Sequence, residues 1–371
     1  MKRAILAVLL LTTMFFAFSA VVLSQGETTG ESTEETLEAT VERILEAKTI
    51  IPTGAPESQL YQKMELLVTK GSLRDKKITV ESGSWATANS VEYRVGDRVV
   101  VYASKDFEGN DLFYIADFIR RGSLFWLFVI FVVLAAVVAR WRGITAVMGM
   151  GVSFLVIFTF ILPRISAGSD PVGIAIAGAL VIIPVSFFLS HGLNRKTAVA
   201  MVGTMAALLI TGILAAVFVE AAKLTGFASE EAGFLQVDKQ GTMNMKGLLL
   251  AGIIIGVLGV LDDITISQSA IVFQLKEANG KLHFGELYKR AMNVGQDHIA
   301  SMVNTLVLVY TGAALPLLLL FIDNPRPFAE VVNYEIIADE IVRTLVGSIG
   351  LVLAVPITTV IAALAASGRK G

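Results

Sequence analysis

Long apolar stretches recur along this chain, and they constrain its fold more than any other feature. A helix needs roughly 20 mostly apolar residues to cross a bilayer, where backbone polar groups can be satisfied only inside the helix. Eight stretches have this character, and only the second is short: 4–23, 123–139, 143–163, 172–190, 197–219, 247–266, 299–322 and 345–366. We therefore predict an all-α membrane bundle of seven spans, preceded by an N-terminal anchor or signal helix.

The composition narrows the function classes. Hydrophobic residues make up 54% of the chain and charged residues only 17%, whereas a soluble domain carries about 25% charged residues. No cysteine occurs, which excludes disulfides, thiolate metal sites, iron–sulfur clusters and cysteine nucleophiles. A formal net charge of -2 offers no broad basic field, so nucleic acid is not an expected partner. No cofactor is predicted.

The first apolar stretch follows Lys2 and Arg3, and it fits a cleaved signal peptide or a retained anchor. No clear small-x-small cleavage site precedes Gln25, which favours the anchor. Either alternative exports the segment that follows.

Basic residues orient the chain, because short cytoplasmic loops carry an excess of Lys and Arg. With the N-terminus inside, every inner segment is basic: Lys2 and Arg3, Arg140 and Arg142, Arg195 and Lys196, Lys276 to Arg290, and Arg369 and Lys370. The outer loops hold fewer. We predict a bacterial cytoplasmic (inner) membrane protein with both termini inside and residues 24–122 exported.

The exported segment divides by pattern. Residues 24–58 are rich in Glu, Thr and Ser and are predicted to be a polar tether, with one amphipathic helix candidate at 33–48. Residues 59–120 contain five short strand patterns, at 60–68, 77–81, 91–95, 98–103 and 112–118. They predict a small β-barrel-like domain of OB type, most simply a packing or gating module.

Adjacent carboxylates interrupt the stretch at 247–266. Asp262 and Asp263 lie between the predicted midplane and the cytoplasmic face, and on a helix they point about 100° apart. Charged groups at this depth are costly and usually face a bundle interior or a water path. We expect at least one of them to exchange a proton or bind a cation. The alternative is that both reach the cytoplasmic interface.

A polar stripe on the next span completes the predicted relay. Asp297, His298, Asn304 and Thr305 enter from the side where the carboxylate pair ends, so two antiparallel helices could place them opposite the pair, with Gln268 one turn beyond it. The simpler alternative makes Asp297 and His298 an interfacial helix cap. A divalent-metal site of Asp262, Asp263, Asp297 and His298 is possible, although its spacing is not specific.

A second polar cluster is predicted on the outer side, at the start of the last span. Glu335, Asp339, Glu340 and Arg343 fall on one helical side, with ordinary salt-bridge spacings. A solvated ion-paired face is the default interpretation. Pro356 implies a kink farther along, and the neighbouring threonines can satisfy the carbonyls that it frees.

Three blocks carry a family resemblance: GVLDDITISQSA, GQDHIASMVNTLVLVYTGAALP and NYEIIADEIVRTLVGSIGLVLAVPITT. They resemble the YibE/F-like family of bacterial multispanning membrane proteins, and this resemblance implies an integral membrane protein and little about substrate.

The carboxylate helix and the helix after it are also similar to the half-transporters of the RND superfamily, which include SecD and SecF. That similarity implies that Asp262 or Asp263 matches a proton-carrying Asp and that Asn304 and Thr305 match its partner helix. Two extra spans and a smaller exported domain depart from that pattern.

These observations lead to two function hypotheses. The first is a proton- or cation-coupled transporter of an unknown small solute or cation. The alternative is a membrane-anchored assembly or protein-export accessory factor, with an extracytoplasmic protein partner or a homo-oligomer. An enzyme is not expected, because intramembrane aspartyl chemistry needs carboxylates from different helices and the three histidines form no HExxH motif.

Overall fold

The computed structural model describes residues 35–52, 57–86, 91–105, 109, 111–322 and 326–368. The predicted anchor or signal at 4–23 lies outside these residues. Contacts within the chain divide them into two compact units, with the boundary between Leu134 and Ala135.

The first unit contains one antiparallel sheet. Its order is β3-β2-β1-β4-β5, with β1 (Glu35–Ile50), β2 (Gln59–Lys70), β3 (Lys77–Ser82), β4 (Arg98–Lys105) and β5 (Asp111–Phe118). Alternate apolar side chains of these strands are buried together, as period-2 patterning requires. Glu38 of the central strand accepts hydrogen bonds from Arg121, and this guanidinium lowers the pKa of the Glu38 carboxyl.

The helix predicted at 33–48 is wrong, because β1 occupies that segment. Leu37, Ala39 and Val41 alternate along the strand and are 0–1% exposed. The helical interpretation used Leu37, Val41, Ile44 and Leu45. The four-residue spacing of the first two suits either period, and the interpretation missed the contribution of Ala39. This part of the predicted tether is therefore the centre of the sheet.

Barrel closure is not confirmed. The sheet is open within the described residues, since β3 and β5 are its two edges. The strand predicted at 91–95 is also absent there. The Gln62 side chain takes its place, donating to the Tyr93 carbonyl at 3.0 Å and accepting from the Tyr93 N–H at 2.8 Å. An amide side chain thus supplies the pairing that a neighbouring strand would have made.

The remaining elements are helical. They are α1 (Arg121–Val156), a π-helical segment (Ile157–Ile161), α2 (Leu162–Ser166), α3 (Pro171–His191), α4 (Arg195–Ala221), α5 (Glu230–Asp238), α6 (Met245–Ala278), α7 (Phe284–Ala313), α8 (Leu315–Ile322), α9 (Phe328–Val331) and α10 (Glu335–Ser367). Among the described residues, five helical segments are long and apolar enough to cross a membrane, or six if α7 and α8, which meet at 72°, form one span. The predicted count of seven spans is not confirmed.

Helix α1 is interrupted at Arg140, whose backbone is not helical (φ 54°, ψ -134°). Gly143 approaches the carbonyl of Ala135 so closely that a Cβ would overlap it. Residues eight apart on a straight helix are about 12 Å apart. The chain therefore turns back on itself at Arg140.

Helices α4, α6 and α10 pack together and bury the main apolar core of the second unit. Gly203 of α4 lies against Thr358 of α10, and Gly350 of α10 lies against Thr211 of α4. The two contacts are reciprocal and two helical turns apart. A glycine at each contact lets the helix backbones approach closely, as small residues do between membrane helices.

Candidate functional site

The candidate site is built on α6, which begins after the cap residue Asn244. The Asn244 side chain accepts a hydrogen bond from the Gly247 N–H at 2.9 Å, which satisfies one free donor of the first turn. The helix then runs unbroken through both carboxylates to Ala278.

The two carboxylates occupy different environments. Asp262 is partly buried, and its Oδ1 atom is fully enclosed without a hydrogen-bond partner among the described residues. The Ser186 side chain of α3 lies near it. Asp263 is exposed and lies near His191. The 100° offset of adjacent helical residues thus separates an enclosed carboxylate from an accessible one.

A large cavity of about 880 Å³ lies along the N-terminal half of α6, from Met245 to Gly256. It continues to Tyr310 of α7 and to the charged start of α10. Glycine at 252 and 256 leaves the helix backbone bare along this wall.

A small cavity of about 240 Å³ lies along the C-terminal half of α6. Its lining includes Ser267 and Gln274 together with the basic side chains of Arg142, His191 and Lys196. The two cavities share α6, and the carboxylate pair falls between them. At 1.5 Å per residue, about 15 Å of helix separates Gly256 in one cavity from Ile266 in the other.

Gln268 is fully buried where α6, α7 and α10 meet. Its Nε2 donates to the Ala291 carbonyl at 3.0 Å and to the Thr359 hydroxyl at 2.7 Å. Its Oε1 atom is enclosed and has no partner within the part of the chain that the structure describes. Thr359 in turn donates to the carbonyl of Val355, the residue before Pro356. Gln268 therefore connects three helices beside the carboxylate pair.

The polar stripe on α7 is placed differently from the predicted relay. Asp297, Asn304 and Thr305 are exposed on the bundle surface, and Thr305 donates to the Ser301 carbonyl of its own helix. His298 is partly buried, and its Nδ1 atom is enclosed without a partner among the residues described. Within the described residues no hydrogen bond joins these four side chains to Asp262 or Asp263. Nor do any three His, Asp or Glu side chains there converge on a metal position.

The cluster at the start of α10 separates into two parts. Glu335 anchors a neighbouring loop, accepting from the Thr225 hydroxyl at 2.8 Å and from the Gly226 N–H at 3.0 Å. Arg343 donates to Asp339 at 3.2 Å and to Glu340 at 3.1 Å. These ion pairs line the large cavity, and Asp339 is only 7% exposed. The cluster is ion-paired, as the default prediction has it, but Asp339 does not lie on a solvated face.

A model of the family described as YibE/F-like protein matches residues 127–368. The match covers more than half of the chain. The chain belongs to the YibE/F-like family. No curated protein and no solved structure matches it, and the similarity to RND half-transporters stays a prediction.

The matched region contains every site residue of this YibE/F-like protein. Both cavities, the carboxylate pair and the α10 cluster lie within residues 127–368, whereas the sheet at 35–118 lies outside. The match thus falls on the helical part of the chain. The length and apolar composition of its helices indicate a membrane protein.

The buried hydroxyls of this YibE/F-like protein were not predicted from the sequence. Thr204 of α4 and Thr265 of α6 meet at 2.6 Å between their hydroxyl oxygens, and both are 0% exposed. A signal was present, since Thr197, Thr204 and Thr211 recur every seven residues on α4 and therefore share one helix face. Ser186, which faces Asp262, had no comparable signal.

Proposed function

We propose that this YibE/F-like protein is an integral membrane transporter coupled to protons or cations through Asp262 and Asp263. The observation that carries the proposal is the Oδ1 atom of Asp262, which is enclosed without a hydrogen-bond partner among the described residues and lies on the helix shared by two cavities. A group in this position can exchange a proton or cation with one cavity at a time if the helices around α6 repack. The transported species is a small solute or cation of unknown identity.

Electrostatics supplies the coupling. An ionised carboxylate at membrane depth costs about 2.5–3.5 kcal/mol by insertion scales. If only one packing of the bundle exposes Asp262 to water, the other packing bears this cost. Neutralising the carboxylate then removes most of the free-energy difference between the two packings. Since 1.4 kcal/mol is a factor of ten in an equilibrium, proton or cation occupancy would shift the two packings by about a hundredfold.

The topology that we propose places the small cavity on the cytoplasmic side. His191 and Lys196 flank it, and basic residues accumulate in inner loops. The large cavity then opens outside, the N- and C-termini lie inside, and residues 24–122 are exported across the bacterial cytoplasmic membrane. The break at Arg140 divides α1 into two spans, and α7 with α8 forms another, which restores a count of seven after the N-terminal stretch.

A reconstituted system tests this proposal. Purified protein in liposomes carrying a pH-sensitive dye is challenged with inward and outward proton gradients and with candidate solutes. We expect Asp262→Asn to abolish the coupled flux and Asp263→Asn to reduce it. Glu277→Gln is the matched control, because it removes an exposed carboxylate from the same helix. Undiminished flux in both aspartate variants would refute the proposal.

The second candidate is an export or assembly accessory factor. It is favoured by one observation, namely that the sheet belongs to a compact unit of its own and lies outside the family match. Crosslinking through the sheet in intact cells distinguishes the two. One dominant protein partner, together with full growth of the double Asp262→Asn, Asp263→Asn variant, would support the accessory role.

A further inference from the structure

We propose that the large cavity binds a small organic cation, an amine whose apolar body lies along α6 and whose ammonium group meets Asp339. The role of this ligand as the transported substrate rests on the proposed function above. Its binding does not, because the cavity is formed whether or not transport follows.

The cavity has the size and walls of a small-molecule site. Its volume of about 880 Å³ falls within the 300–1,000 Å³ typical of ligand pockets. One wall is apolar, formed by Leu248, Leu249 and Leu317 with the bare backbone at Gly252. A Cβ placed on Gly252 would meet no atom within 4 Å, so the space beside this helix is free for an apolar group.

An unpaired acceptor marks the polar end. Asp339 is 7% exposed, and only its Oδ2 atom is paired, with Arg343 at 3.2 Å. Its Oδ1 atom is enclosed without a hydrogen-bond partner in the described part of the chain. Buried acceptors are nearly always satisfied in folded proteins. A ligand that donates a hydrogen bond at this position would satisfy it.

The charges around the cavity select a cation. Three carboxylates line it, from Glu231, Asp339 and Glu340, against the single guanidinium of Arg343. Arg343 is already shared between Asp339 and Glu340, with its Nε atom left without a partner among the described residues, so three carboxylates face one guanidinium and negative charge remains in excess. A carboxylate or phosphate ligand would be repelled, whereas an ammonium group would form a charge-assisted hydrogen bond with Asp339.

The remaining choice is between an organic cation and a metal ion. Within the described residues no group of three His, Asp or Glu side chains converges as metal ligands do. The space is also far larger than an ion requires, and much of its wall is apolar. Both facts favour an amine with a hydrocarbon body.

Calorimetry on the purified full-length protein tests the inference with phenethylamine as the probe. Phenylethanol and phenylacetate are its neutral and anionic counterparts, and MgCl₂ and CaCl₂ are the metal arms. We expect binding of the amine only. Asp339→Asn should weaken it at least tenfold. Gly252→Leu, which fills the apolar wall without touching the acidic cluster, should weaken it similarly, and Glu277→Gln should leave it unchanged.

Several results would overturn the inference: no amine binding to a folded wild-type protein, equal binding of phenylacetate, binding of a metal ion in place of the amine, or unchanged amine affinity in both cavity variants. Asp262→Asn separates this inference from the transport proposal, because it should abolish the coupled flux and leave amine binding unchanged. If the wild-type protein binds the amine but shows no coupled flux, the binding site is supported and the transport proposal is refuted. If it shows coupled flux but binds no amine, the transport proposal is supported and the binding site is refuted.

Discussion

The reciprocal glycine–threonine contacts between α4 and α10 make a quantitative prediction. A Cβ on Gly203 would lie 3.2 and 3.3 Å from two carbons of Thr358 and would overlap its hydroxyl. Ordinary carbon–carbon contacts are about 3.5–4.0 Å. Gly203→Ala must therefore push the helices apart by several tenths of an ångström or rotate Thr358. Overpacking of this kind costs about 1–3 kcal/mol.

The same reasoning applies to Gly350→Ala, where a Cβ would lie 2.9 and 3.1 Å from two carbons of Thr211. Because one separation of the same two helices relieves both overlaps, the double variant should cost less than the sum of the single variants. Non-additivity of this kind is expected for residues coupled through a shared backbone shift.

Unfolding of the purified protein by heat or by SDS in mixed micelles, followed by circular dichroism, measures these costs. Gly259→Ala on α6 is the control, since a Cβ there meets nothing within 4 Å, and it should be neutral or stabilising by up to about 1 kcal/mol. Equal stability of Gly203→Ala and Gly259→Ala would refute the close contact. Fully additive losses in the double variant would show that the two contacts yield independently.

Three further outcomes are expected. The pKa of Glu38 is lowered, so its ion pair stabilises the sheet fully above the unfolded pKa of about 4.3. This contribution is lost as the pH falls through the lower pKa of the folded state. Hydrogen exchange across the sheet, corrected for intrinsic rates, should show this acid dependence in the wild type and lose it in Glu38→Gln. The chain has no cysteine, so Phe234→Cys should react with an impermeant maleimide in intact cells and Leu193→Cys only after permeabilisation; the opposite pattern would invert the proposed topology. A double-mutant cycle of Thr204→Val and Thr265→Val should give a coupling free energy of unfolding of about 0.6 kcal/mol, and at most about 1.7 kcal/mol. A coupling of zero would contradict a stabilising contact between the two hydroxyls.

The helices were accessible from sequence because apolar length alone predicts them. The predicted stretch at 197–219 lies inside α4 (Arg195–Ala221), and the stretch at 172–190 lies inside α3 (Pro171–His191). Strand β1 could not be predicted in this way. Leu37 and Val41 suit either period, and the partners that decide between strand and helix, β2 and β4, lie farther along the chain.

The candidate site was predictable only as a set of residue types. The pair at Asp262 and Asp263 is visible in the sequence, but the difference between them depends on Ser186 and His191, which tertiary packing brings near. The enclosed state of Asp339 has the same origin. Its salt-bridge spacing to Arg343 is readable along the helix, whereas the cavity beside it is formed by α5, α6 and α7.

The long central strand has a consequence for self-association. From Glu38 onward β1 pairs with β2, whereas its pairing with β4 ends at Thr40 and Val41 pairs with the turn at Gly96 and Asp97. Within the described residues, the part of β1 after Val41 therefore offers a free backbone edge. That edge alternates in charge through Glu42, Arg43, Glu46 and Lys48, and register shifts beside Arg43 and Glu46 bend it. Charged and bulged edges resist strand addition by another molecule. Copies crowded on one membrane face should therefore not polymerise through this strand, and any oligomer has to form through a different surface.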